Sequence, residues 1–413
     1  MSDERDFDRI ARAWLELGTN EAPDRAVSAV LQAVETTPQV RPLSTRLPWR
    51  YEPVNRMPIA AALVVALVIV VGGLYFMRSD GSTNVGGPSP SASALASAPA
   101  SPALSPTSSA SAALPESIVV TPVAVIAVPD AVSIASDGQA AWVLSSSGGL
   151  VRIDPGTNEA DPPVALDGTA YLYTGVSADA TDVWATRVSP GLVYRLDPTT
   201  SKVTATIETD EAKGVLAALD AVWVAKDGGT VARIDPGINE VVATVTVGST
   251  SSAPFRMESG FESVWVGVMG DGTVVRIDPS SNTSQATIEM PPSTKPCILL
   301  TGPDAVWNIG CDRSTSVDRI DPSTNTIVGS VDLGGFGYSA ALIDGAPWVS
   351  VESPSGGTMV RIDSTTNQVD RVLSPETEFS GYGEGMVVAA GSVWVVDITN
   401  NKVLRLPLSA FES

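Results

Sequence analysis

Seven tryptophans constrain this chain more than any other feature. Trp142, Trp184, Trp223, Trp265, Trp307, Trp348 and Trp394 recur 39 to 46 residues apart. The residues around them repeat as well: Val183-Trp184, AVWVA at 221–225, SVWVG at 263–267, AVWNI at 305–309 and SVWVV at 392–396. An Arg-apolar-Asp segment follows each of the first six: RIDP at 152–155, 233–236, 276–279 and 319–322, RLDP at 195–198, and RIDS at 361–364. The seventh unit departs to RLPL at 405–408. Next come pairs such as Thr157-Asn158, Ile238-Asn239, Ser281-Asn282, Thr324-Asn325 and Thr366-Asn367, then a Val-rich run such as VVATVTV at 241–247. A unit of this size cannot bury its own apolar faces, so neighbours must stack.

Within each unit the apolar residues alternate with period two between Gly, Pro and Asn punctuation, which reads as four short strands. In Asp-Pro-x-x-Asn the Asp accepts backbone N–H groups, Pro presets φ and Asn tolerates positive φ, so this stretch is a turn. Four strands per repeat of this length make a β-propeller blade. The expected fold is all-β, a seven-bladed β-propeller over residues 118–413, with each Trp buried between blades. The last unit stops after its third strand, KVLRLPL at 402–408, while PVAVIAV at 122–128 has the fourth-strand pattern. The N-terminal strand is therefore expected to complete the last blade and remove two open edges.

These VWV…RIDPxTNxVxATI units resemble the YVTN-type β-propeller repeat family, which includes YncE-like proteins and, more distantly, virginiamycin B lyase. The resemblance covers about 290 residues and implies the propeller fold. The lyase relatives use a His acid/base with a metal. This chain contains no His, so that chemistry is not carried over, and no catalytic residue or cofactor is assigned.

Three zones precede the repeats. Residues 1–56 carry two short amphipathic patterns, one with Phe7, Ile10, Ala11 and Trp14 on a face and one with Val27, Val30, Leu31 and Val34. They read as a short helical segment too small for a large core. Met57–Met77 has no charge over 21 residues, enough helix to cross a hydrocarbon layer of about 30 Å. Arg41, Arg46, Arg50 and Arg56 precede it and only Arg78 follows closely. The positive-inside rule thus predicts a single-pass cell-membrane protein, with 1–56 cytoplasmic and the propeller extracytoplasmic. Residues 78–117 are rich in Ser, Ala and Pro, too poor in apolar bulk to fold, and read as a disordered linker.

Composition narrows the functions. The net charge is −21, and 118–413 hold 16 basic against 35 acidic residues, a net of −19. Phosphates would be repelled, so no nucleic-acid partner is expected. Without His, imidazole-dependent nucleophiles and general bases are excluded. Two cysteines are too few for a Cys-only zinc site. Cys297 and Cys311 bracket the fifth-unit hairpin KPCILLTGPDAVWNIGCD, and an oxidising exterior predicts a cross-strand disulfide between them. Asp227-Gly228-Gly229 and Gly270-Asp271-Gly272 read as hairpin turns, since no D-x-[DN]-x-[DN]-G loop appears and no metal site is expected.

Residues shared by every unit are structural by default. A ligand site should use residues that differ between blades, in the loops entering each innermost strand. Tyr173, Lys213, Phe255, Arg256, Tyr338, Tyr382 and Glu384 are the candidates, with Tyr171, Lys295, Phe336 and Phe379 beside them. Aromatics with a few charges on Gly-rich loops suit a peptide, protein or glycan. The leading expectation is a non-catalytic binding module. Two alternatives stand beside it: a transmembrane signalling regulator with an anti-sigma-like layout, whose residues 1–56 dock a cytoplasmic protein, and a His-free, metal-dependent propeller enzyme of lyase or lactonase type.

Overall fold

The computed structural model describes residues 114–147, 149–168, 174–310 and 313–412. The expected cytoplasmic helices, the 57–77 span and almost all of the linker lie outside them. Among the described residues no helix is long and apolar enough to cross a membrane.

Seven antiparallel sheets form the seven blades. Their innermost strands are Ala131–Ser136, Val176–Ala178, Ala212–Ala218, Pro254–Gly260, Pro296–Thr301, Phe336–Ile343 and Met386–Ala389. Each pairs with a second strand that carries the repeated Trp. All seven tryptophans are 0–1 % exposed, and they fill clusters that join one blade to the next. Trp223 and Ala225 of the third blade, for instance, pack with Val264, Val266 and Ile277 of the fourth. The seventh blade closes as expected: Ala124–Ala127 is its outer strand, antiparallel to Lys402–Pro407, with Ile126 opposite Val403. One further strand was not anticipated. Ser117–Val120 lies parallel to the outer strand of the sixth blade, Ser117 opposite Val372 and Val120 opposite Pro375. The chain thus bridges the outer edges of blades six and seven before the repeats begin.

The repeated Arg and Asn together form a clamp across the blade seams. Asn158, Asn239, Asn282, Asn325 and Asn367 all have φ between 54 and 60°, the left-handed turn conformation Asn tolerates. Each side chain also receives the Arg of the preceding blade. Arg233 Nη1 donates to Pro279 O and Asn282 Oδ1, both at 2.9 Å. Arg195, Arg276 and Arg405 reach Asn239, Asn325 and Asn158 in the same way, and Arg319 reaches Asn367 at 3.5 Å. The guanidiniums stack over their own blade's Trp at 5.0 to 5.5 Å. Two seams lack the clamp, each for a visible reason. Blade seven takes its outer strand from the N-terminus, so it has no third-to-fourth turn to offer Arg361. Blade two carries Ser201 (φ 55°) where the others carry Asn, and Arg152 turns instead to Asp161 at 3.4 Å.

Ser201→Asn should therefore stabilise the fold. It relieves a non-Gly positive φ that Ser suits poorly and supplies the missing acceptor, about 0.5–1.5 kcal/mol in total. Urea unfolding should show a higher midpoint at unchanged slope; an unmoved midpoint would refute the clamp's contribution.

Candidate functional site

The seven innermost strands enclose a central channel of about 450 Å³ to which every blade contributes. The tryptophans make its layers comparable. Opposite each Trp on the innermost strand stand Ala135, Ser177, Leu216, Glu258, Leu300, Ala341 and Val387. All seven line the channel, and only Glu258 is charged. Two residues earlier in each strand stand Ser133, Gly175, Gly214, Arg256, Ile298, Ser339 and Gly385. This layer is mostly small because the strands crowd one another there. A Cβ at Gly214 would meet the Phe255 carbonyl oxygen at 2.0 Å. Arg256 departs from the rule, and it sits in a bulge that other blades share: Lys213 and Gly214 face Ala225 in the same way. The ladder runs from Pro254 opposite Val268 to Met257 opposite Val266, which leaves Phe255 and Arg256 facing Gly267 alone. Bulges re-aim side chains in this way.

Arg256 crosses the channel. Its Nη2 donates to Glu384 Oε2 and to the Glu384 carbonyl oxygen, both at 3.0 Å, and its Nη1 donates to Ser133 Oγ at 3.4 Å. A residue of the fourth blade thereby ties down the entry to the seventh and the first strand of the first. Burial pushes the Glu384 carboxyl up to about 7, although Arg256 opposes this by charge and hydrogen bond. Both side chains keep some access to solvent, 19 % for Arg256 and 12 % for Glu384. Glu258 has no such partner. Its carboxylate accepts one hydrogen bond, from Ser259 N at 3.1 Å, and burial raises it to about 7.

Lys213, Phe255, Arg256, Phe336 and Tyr338 lie inside the innermost strands rather than in the loops expected to carry them, because the strands begin earlier than the turn residues suggest; Tyr382 and Glu384 do precede theirs. The remaining candidates divide into two groups. Tyr338 and Tyr382 meet edge to face, centroids 4.6 Å apart. Burial first, then a hydrogen bond and charge from Glu352, push the Tyr338 hydroxyl up to about 12. Phe336 lies beneath Arg313 at 5.7 Å. With the Arg256–Glu384 bar, these form a half-exposed patch where the chain enters blades six and seven. Phe255 and Lys213 are elsewhere engaged. Phe255 is 2 % exposed and carries Arg256 over its ring at 5.0 Å, so it supports the bar from below. Lys213 forms an ion pair with Asp227 of its own blade. Phe379 is in the core, 5 % exposed. Tyr171, Tyr173 and Cys311 lie outside the described residues. Cys297 is buried and disulfide-bonded.

Asp271 is taken by Ser249, whose N–H and hydroxyl donate to it at 2.7 and 2.8 Å, as a hairpin-turn residue would be. Among the described residues no group of three His, Cys, Asp or Glu is placed to hold a metal ion. Glu258 is not singled out by the sequence because it stands mid-strand opposite its Trp, away from the aromatic and Gly-rich strand entries. Comparing the seven residues that precede each Trp by seven positions would have found it.

No family model and no curated protein matches the chain. Its fold is similar to solved structures at low identity. A chain of the hydrazine synthase of Kuenenia stuttgartiensis matches with a TM-score of 0.55 and 14 % identity over 68 % of this chain and 96 % of that one. A chain of a crystallised mitotic checkpoint complex matches with a TM-score of 0.57 and 12 % identity over 70 % and 94 %. At these identities the likeness concerns the propeller alone.

Proposed function

We propose that this chain is a membrane-tethered binding protein of the YVTN-type repeat family, whose propeller recognises a protein, peptide or glycan outside the cytoplasm without transforming it. The observation that carries the reading is the patch of Tyr338, Tyr382, Arg256 and Glu384, residues that differ from their counterparts in the other blades. Aromatic rings beside a charge pair on a rigid scaffold make a recognition surface. The checkpoint-complex chain with the same fold comes from a protein assembly, a use of the propeller consistent with this one. The uncharged run at 57–77 and the Arg-rich flank before it support the tether and its orientation. The Ser/Ala/Pro stretch at 78–117 would hold the disc off the membrane by roughly 35 Å as a coil. Residues 1–56 would remain inside, available to a cytoplasmic partner. The second half of the Cys297 bridge is assigned to Cys311, the chain's one other cysteine.

The test is a peptide and glycan array probed with the full chain in detergent. Tyr338→Ala combined with Tyr382→Ala should weaken any specific hit at least tenfold, with the parent's circular dichroism and a cooperative melt retained. A hit that survives the double substitution at full strength would move the site away from this patch.

A further inference from the structure

Glu258 is the one ionisable group of the channel wall that the recognition patch does not use. The channel is lined by 24 residues, of which Arg256, Glu258 and Glu384 are the charged ones. Arg256 is committed to Glu384 at 3.0 Å and to Ser133. The channel therefore holds one carboxyl in excess of its cations. The ring at the Glu258 level is otherwise aliphatic or small: Leu216, Leu300, Val387, Ala135, Ala341 and Ser177. A carboxylate in such surroundings pays a desolvation cost that a matching cation offsets. The volume, about 450 Å³, lies in the range of small-ligand pockets. It admits an extended side chain rather than a folded surface.

We propose that the central channel takes the side chain of a lysine presented by the partner, its ammonium paired with Glu258 and its methylene stem against the aliphatic ring. This deepens the recognition reading above and rests on it. A lysine fits both halves of the lining: three N–H donors on a compact charge, carried on an apolar stem. The partner is accordingly basic at its contact point, in keeping with a propeller of net charge −19 (16 basic, 35 acidic). Capture requires Glu258 ionised. Affinity therefore rises as pH passes upward through about 7; Glu384, the other carboxyl of the lining, is raised to about 7 as well despite its bond to Arg256, so the share due to Glu258 is the part of this pH dependence that Glu258→Gln removes. Binding then draws the carboxyl down and releases a proton.

The experiment uses the full chain in detergent micelles and an end-blocked Gly-Gly-Lys-Gly-Gly peptide. Its norleucine counterpart and 1,5-diaminopentane serve as comparison ligands. The lysine peptide should bind at least tenfold more tightly than the norleucine peptide. Its affinity should increase severalfold from pH 5.5 to pH 8. Titration calorimetry in two buffers of different ionisation enthalpy should show a fraction of a proton released at pH 7. Glu258→Gln should abolish the preference for lysine while melting at or above the parent temperature at pH 8. Equal binding of both peptides, no proton release, or an unchanged preference in the Gln variant would overturn the proposal; so would binding of the diamine alone, which would assign the channel to a free amine. The two readings separate cleanly. A parent protein that shows no lysine preference, while its array hits still depend on Tyr338 and Tyr382, faults the channel alone, and hits that survive at full strength in the Tyr double variant fault the patch.

Discussion

Ile126→Asp is expected to cost about 3–5 kcal/mol and to unfold the propeller at a urea concentration far below that of the parent. Ile126 is 6 % exposed and packs with Trp394, Val403 and Ile153 in the core joining the seventh blade to the first. An aspartate there would be charged, buried and unpaired. It would also push the closing strand off Lys402–Pro407, leaving a three-stranded blade with an open edge at the one seam where the chain ends meet. The neighbouring substitution separates these effects from mere insertion of charge into a strand. Val125 pairs with Leu404 in the same ladder but is 50 % exposed, so Val125→Asp should stay within about 0.5 kcal/mol of the parent. Unfolding midpoints that coincide for the two variants would mean that this strand does not hold the ring shut.

That closure is legible in the sequence because it follows from counting: the units supply their fourth strands from within except the last, and the residues ahead of the first Trp have the missing pattern. The Trp columns were legible for the same reason, since a residue repeated seven times at near-constant spacing must occupy an equivalent place in each sheet. What sequence left hidden depends on contacts between units. Asn282 reads as a turn residue by its position after Asp278-Pro279; that its amide oxygen also receives Arg233 of the previous blade needs the ring's geometry. The added parallel strand Ser117–Val120 has only four residues and alternates weakly, so nothing in the text marks it. At the candidate site, the expected loop residues Tyr338 and Phe255 are strand residues, and sequence position does not tell the half-exposed one from the buried one, because the register shifts at 337/339 and 254/257 set which side chain faces the core. Glu258 stays hidden because only the ring's geometry shows that the residue opposite each Trp faces the channel.

The fifth blade breaks the repeat in its core, and restoring the pattern there should stabilise the protein. Asn308 follows its Trp where the other blades have Val143, Ala185, Val224, Val266, Val349 and Val395. Opposite it stands Asp318, where they have Val151, Tyr194, Ala232, Val275, Val360 and Leu404. Both are 0–1 % exposed. They share a sheet face with Val306 and Ile320, which pack against Trp265 and Val274 of blade four. Both ends of the Asn308 amide and Asp318 Oδ2 make no hydrogen bond, which leaves desolvation uncompensated. Burial raises the Asp318 carboxyl above its ordinary 3.8; hydrogen bonding from Thr294 and Ser330 opposes this without reversing it. A carboxyl raised on folding binds its proton more tightly in the folded chain than in the unfolded one. Its cost is absent below the unfolded value of 3.8 and grows as pH rises through the folded one. Asn308→Val combined with Asp318→Val should therefore gain about 2–4 kcal/mol at pH 8 and distinctly less at pH 4. Asp318→Val alone should gain less than the pair, because the unpaired Asn308 amide stays buried in the same apolar seam. Urea titrations at the two pH values check both statements. A gain equal at pH 4 and pH 8 would show that ionisation of Asp318 carries no penalty, and a loss in the double variant would show that the pair is satisfied by groups its neighbours supply.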